Sequence, residues 1–130
     1  MSLRVNPTRY GFKWTTVHFG TFDFTMLCVL GKKDRLVEFV RKFMDDPEYN
    51  FKVGTQRGMF FERKDCGPIL WLPRYPKTPH EHGALAHEVL HAIRCMLVGW
   101  AGMELNYYTD EAFCHAMSHA VTRILEDLRP

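Results

Sequence analysis

The run from Thr78 to Val98 constrains this chain more than any other stretch. Thr78-Pro79-His80-Glu81 is a capping box with proline at the first helical position. Ala86, Val89, Leu90, Ile93 and Leu97 follow at core-facing helical spacing. Ala84-Leu85-Ala86 and Ala92-Ile93 are good helix formers. A helix is predicted from near Pro79 to about Val98, with Gly99 or Gly102 as its stop. Within it stands the pentapeptide His87-Glu88-Val89-Leu90-His91.

Two histidines at i and i+4 lie one above the other on a helix, so their ring nitrogens can converge on one point. Zinc takes neutral imidazole ligands in that arrangement. Glu88 is turned about 100° away yet within reach of a water on the metal, where a carboxylate acts as general base. The pentapeptide thus predicts two metal ligands, His87 and His91, and a catalytic base, Glu88. The bland alternative is two core histidines with satisfied hydrogen bonds beside a surface glutamate.

At 130 residues the chain reads as a single domain, 1–130, long enough to bury a core. Hydrophobic residues at 46% and aromatics at 14% are globular values, which argue against disorder. A net charge of +2 with dispersed basic residues gives no reason to expect nucleic acid or membrane as a partner. No apolar run approaches the length of a membrane span. Met1-Ser2-Leu3-Arg4 lacks the apolar segment of a signal peptide. None of Cys28, Cys66, Cys95 and Cys114 forms a C-x-x-C pair, so a zinc ribbon or thioredoxin motif is excluded. Reduced thiols and a cytoplasmic setting are the expectation. Cys95 and Cys114 fall on the two helices placed around the metal, where they are small buried hydrophobes or near neighbours.

An α+β domain is predicted, with a small, mainly antiparallel sheet. Phe12 to Phe19 reads as a strand, Gly20-Thr21 as a turn, and Phe22 to Leu30 as the hairpin partner. Phe22, Phe24, Met26 and Cys28 share one face of that partner. Asp34 to Met44 is an amphipathic surface helix with the stripe Leu36, Val37, Phe39, Val40 and Phe43, closed by Asp45-Asp46-Pro47. Gly58 to Arg63 and Pro68 to Leu72 read as two more strands around a turn at Asp65-Cys66-Gly67. Pro73, Pro76 and Pro79 mark an extended connector into the metal helix, and residues 99–108 a loop. A C-terminal helix capped by Thr109 runs to about Leu128, its stripe Phe113, Met117, Ala120, Val121, Ile124 and Leu128.

A catalytic zinc wants a third protein ligand. Glu111 opens the last helix, a turn and a short loop after His91. It is read as that ligand, against the alternative of an acid set there by the helix dipole together with Asp110. The spacing resembles that of the gluzincin metallopeptidases, the thermolysin-like group, in which H-E-x-x-H is followed by a glutamate ligand on a second helix. The resemblance implies a minimal zincin-like fold, Zn2+ on His87, His91 and Glu111, Glu88 as base, and peptide-bond hydrolysis. Many gluzincins carry E-x-x-x-D, whose aspartate orients the first histidine; here that position is His115, a weaker acceptor.

From about Trp71 to Leu125 the likeness narrows. Leu72-Pro73-Arg74, Pro76-Lys77-Thr78-Pro79, Ala86-His87-Glu88, His91-Ala92 and Glu111-Ala112-Phe113 resemble small metallopeptidase-type proteins encoded by phages and prophages. That implies the host cytoplasm as the setting and a protein or peptide as the substrate. The Glu-Ala pair after H-E-x-x-H is also similar to regulatory peptidases of mobile elements that cleave phage-type repressors.

Tyr107, Tyr108 and His115 are the candidate oxyanion donors, set in or just after the connector. His119, roughly 12 Å along the helix from Glu111, cannot share a metal with it, and His80 is likewise too far from His87. The strand Ile69 to Leu72 is read as a site-flanking edge on which an extended substrate adds by main-chain pairing. Two rival readings accompany the peptidase: a metal-binding interaction protein with little turnover, and a repressor-cleaving regulatory peptidase.

Overall fold

A computed structural model describes residues 4–63 and 66–130. Four strands form one mixed sheet: β1 (Lys13–Phe19), β2 (Phe24–Leu30), β3 (Met59–Arg63) and β4 (Cys66–Leu72), in the order β1-β2-β4-β3. The hairpin predicted at the N-terminus forms, with Phe19 opposite Phe24 and Lys13 opposite Leu30. A short 3-10 turn, Gly20–Phe22, joins its strands, and Asp23 closes it in the left-handed region at φ 48°. Phe22 therefore belongs to the turn rather than to the strand.

The central pair was not anticipated. β2 and β4 run parallel, Leu27 opposite Ile69 and Leu30 opposite Leu72, while β3 pairs antiparallel with β4. Parallel strands are usually covered on both faces and read as near-continuous apolar runs. Phe24-Thr25-Met26-Leu27-Cys28-Val29-Leu30 does so. Met26 and Cys28 sit in a core under the C-terminal half of the chain, and Leu27 and Val29 in a core on the opposite face. Cys66 and Gly67, read as part of a turn, lie in β4; Asp65 is outside the described residues.

Helix α1 (Leu36–Met44) follows a 3-10 turn at Lys33–Arg35. It covers the second face with Leu36, Phe39, Val40 and Met44, against Leu27, Val29, Ile69 and Trp71. Asp45 ends it at φ 53°. The other face carries α2 (Pro79–Arg94) and α3 (Asp110–Asp127). Leu85, Val89, Ile93 and Leu97 are buried there with Phe113, Ala120, Ile124 and Leu128. Each such aliphatic side chain stabilises the fold by about 1.5–3 kcal/mol. Among the described residues, no helix is long and apolar enough to cross a membrane.

The start of α2 follows the sequence closely. Thr78 Oγ1 accepts from the Glu81 amide at 3.1 Å, and Glu81 Oε1 accepts from the Thr78 amide at 3.0 Å. Arg74 bonds the other Glu81 oxygen. That bond, and then the amide bonds, hold the Glu81 carboxyl down at about 2. At the far end the structure takes the second of the two predicted stops, Gly102. The helix does not stop at Val98 but widens into a π-helix over Cys95–Trp100, and Gly102 supplies the left-handed turn at φ 70°. Ala86 and Leu90, expected in the core, are exposed. The buried arc is Leu85, Val89, Ala92, Ile93 and Met96, and the opposite arc carries the histidines.

A candidate metal centre on α2

His87 and His91 stand on the exposed arc of α2, one turn apart, with their Nε2 atoms 3.1 Å from each other. Their rings meet edge to face, centroids 4.7 Å apart. Two imidazole nitrogens bound tetrahedrally at 2.0–2.1 Å from zinc stand about 3.3 Å apart. The separation matches that of two ligands on one ion, and equally that of a hydrogen bond between the two rings. The neutral form of imidazole is the one that binds metal.

Glu88 completes the group. One ligand atom from each of the three residues lies within 4.8 Å of the others, and Glu88 Oε1 is 3.9 Å from His87 Nε2. Its side chain is 11% exposed, against 66% for His87. Burial raises the Glu88 pKa, and the charges of His91 and then His87 partly offset it. A carboxyl shifted upward is a better proton acceptor than a solvated one and a readier donor in return.

Strand β3 runs alongside this arc. A Cβ on Gly58 would lie 3.1 Å from Glu88 Cγ, a tight contact that a larger residue makes only if Glu88 gives by a few tenths of an ångström. Phe60 stacks on the His91 ring, centroids 5.9 Å apart and planes 17° from parallel. Glu62 accepts a hydrogen bond from the Cys95 thiol, one turn beyond His91. Burial first, then that bond and the Glu62 charge, push the Cys95 thiol up to about 12, so it stays protonated at neutral pH. Gly58, Phe60 and Glu62 thus meet Glu88, His91 and Cys95 in order. The sequence marked Gly58 to Arg63 as a strand, but nothing local tied it to the metal helix. Cys95 and Cys114 do not approach as partners: Cys95 bonds Glu62, Cys114 is exposed on α3, and both are free.

Glu111 is not brought to the histidines. It is 82% exposed and pairs with His115 Nε2 at 3.1 Å on its own helix. Beyond His91 the chain continues helically to Trp100, carrying it roughly 12 Å along the axis. Phe24 packs on Trp100 there, and α3 then starts beside the β1–β2 turn, where Ala112, His115 and His119 face Phe19 and Phe22. The third-ligand expectation assumed a helix ending near Val98 and a short return. Thr109 holds the N-cap position without bonding the helix amides; its hydroxyl bonds Glu104 O.

Tyr107 and Tyr108 are 90% and 91% exposed and pack on each other. Among the described residues, no contact links either of them, or His115, to His87, Glu88 or His91. His119 Nε2 meets His18 O at 3.0 Å on the other side of the molecule. The edge strand is also reassigned. Ile69 to Leu72 lie in β4, interior between β2 and β3; the edge beside the histidines is β3. A cleft of about 500 Å³ opens between the segment Gln56-Arg57-Gly58 and the first turns of α2, with His87 and Glu88 at its end.

Comparison with protein-family models, curated proteins and solved structures found no match. Function therefore rests on the arrangement itself: two adjacent imidazoles, a largely buried carboxyl beside them and, among the described residues, an edge strand along the same face.

Proposed function

We propose that this chain is a zinc-dependent peptidase acting on an extended protein or peptide substrate. The observation that carries this reading is the convergence of His87, His91 and Glu88 within 4.8 Å. His87 and His91 would hold the ion, which when bound supplies Lewis-acid activation of water and of the scissile carbonyl. Glu88 accepts the proton of the attacking water as the new C–O bond forms. It then delivers that proton to the amide nitrogen as the C–N bond breaks. Burial of Glu88 against Gly58 keeps its carboxyl from swinging into solvent. Phe60 fixes the plane of His91 by stacking. The outer edge of β3 offers main-chain donors and acceptors to an added strand.

One observation favours a second reading, a metal-binding interaction protein with little turnover. Glu111 stands apart, so histidine supplies two ligands and no third residue on α3 converges. A peptide-library digest with zinc-loaded protein and with Glu88→Gln separates the two. The peptidase reading expects cleavage that falls by orders of magnitude in Glu88→Gln while zinc is retained. Zinc binding without cleavage of any peptide by the unaltered protein supports the second reading.

A further inference from the structure

We infer that the substrate carries a carboxylate on the C-terminal side of the scissile bond, and that Arg57 recognises it. This rests on the peptidase reading and names its substrate class.

The cleft that ends at His87 and Glu88 has Gln56, Arg57 and Gly58 on one wall and Pro79, His80 and Gly83 on the other. Gly83 has open space where a side chain would stand, so a bound chain can lie low against α2. A second cleft of similar size continues from the first, and Arg57 lines both. Arg57 is exposed, and among the described residues it forms no ion pair or side-chain hydrogen bond. Its nearest rival for a bound anion, Arg74, is already held by Glu81. Glu81 is in turn occupied by Arg74 and by the amides of Lys77 and Thr78. The remaining acid of the cleft, Glu88, sits with the histidines. The groove leading away from the histidines therefore presents one unspent cation.

The direction follows from register. β3 runs with Gly58 beside Glu88 and Phe60 beside His91. A substrate strand added antiparallel to β3, the commoner pairing, passes the histidines and then reaches Gly58 and Arg57 with its C-terminal portion. At about 3.3 Å per residue, Arg57 meets a group about two or three residues past the scissile bond. A guanidinium forms paired hydrogen bonds with a planar carboxylate. That carboxylate is either an Asp or Glu side chain or the C-terminus of a short peptide.

The test uses one cleavable peptide in versions with Glu, Gln or Lys at the third residue past the cut, each with a free or an amidated C-terminus. Cleavage is read on zinc-loaded protein and on Arg57→Ala and Arg57→Glu. Binding is read by fluorescence anisotropy on the zinc-loaded Glu88→Gln protein. The expected kcat/KM ratio of Glu over Lys peptide is roughly 10- to 100-fold, lost in Arg57→Ala and reversed in Arg57→Glu, with affinities in the same order. If only amidation lowers binding, in an Arg57-dependent way, the carboxylate read is the terminal one. Cleavage with no charge preference, or a preference unchanged in Arg57→Glu, overturns the assignment and leaves the peptidase standing. Charge-dependent binding with no cleavage of any peptide by the unaltered protein does the reverse. Absence of charge-dependent binding overturns the assignment whatever the cleavage result.

Discussion

Replacing Gly58 by alanine places a methyl group where three neighbours already crowd: Glu88 Cγ at 3.1 Å, Leu72 Cδ2 at 3.1 Å and the Trp71 carbonyl at 3.3 Å. Carbon atoms in comfortable contact stand about 3.5–4.0 Å apart, so a neighbour must give by a few tenths of an ångström. The Trp71 carbonyl is backbone of an interior strand, and Leu72 is 1% exposed. Glu88 has the freer side chain and moves. Overpacking costs about 1–3 kcal/mol, and the lower chain entropy of alanine returns about 0.4–1 kcal/mol. The net loss of stability should be roughly 0–2.6 kcal/mol. Activity should suffer more than that loss suggests. A misplacement of about 1 Å can cost roughly a hundredfold, so a few tenths of that should lower kcat by roughly 3- to 10-fold. Zinc should stay, because the three atoms nearest the new methyl belong to Glu88, Leu72 and Trp71 rather than to the histidines. The assays are urea unfolding, zinc content and kcat on any cleaved peptide. An intact fold with unchanged kcat would show that Gly58 does not position Glu88. Loss of zinc would show that the methyl disturbs the histidines instead.

Two further outcomes follow from the same geometry. Glu111→Ala should keep full zinc occupancy and cost about 0.3–1 kcal/mol as the loss of an acid at a helix start; a sharp drop in zinc affinity would restore Glu111 as a ligand. Metal-free Glu88→Gln should gain stability over the unaltered protein as pH rises. The folded pKa of Glu88 lies above its ordinary value of 4.5, so the contribution of this residue is full below that value and is lost as pH rises through the folded pKa. Urea midpoints that do not diverge between pH 4 and pH 8 would contradict the burial of Glu88.

The parts of this fold that were legible in the sequence are those written locally. The capping box at Thr78 and Glu81, the spacing of His87 and His91, and the Val89, Ile93 and Leu97 part of the predicted stripe are short-range features that the structure keeps, whereas Ala86 and Leu90 of that stripe face outward. The hairpin of β1 and β2 is of the same kind. The parallel pairing of β2 with β4 is not, because it joins segments separated by α1 and β3, and no residue at either strand announces its partner. The edge strand was misplaced for that reason. Glu111 stands apart from the histidines because the helical backbone runs on through a π-helix to Trp100 and turns at Gly102, the later of the two stops the sequence offered. The β3 side of the site lay hidden likewise: Gly58, Phe60 and Glu62 acquire meaning only once β3 is laid against α2.

Zinc content of the purified protein, measured beside His87→Ala, His91→Ala and Glu88→Gln, tests the central claim most directly. The account predicts close to one zinc per chain in the unaltered protein and in Glu88→Gln, and almost none in either histidine variant at the same folded fraction. Absence of any transition metal after reconstitution with zinc, or equal occupancy in His87→Ala, would contradict it.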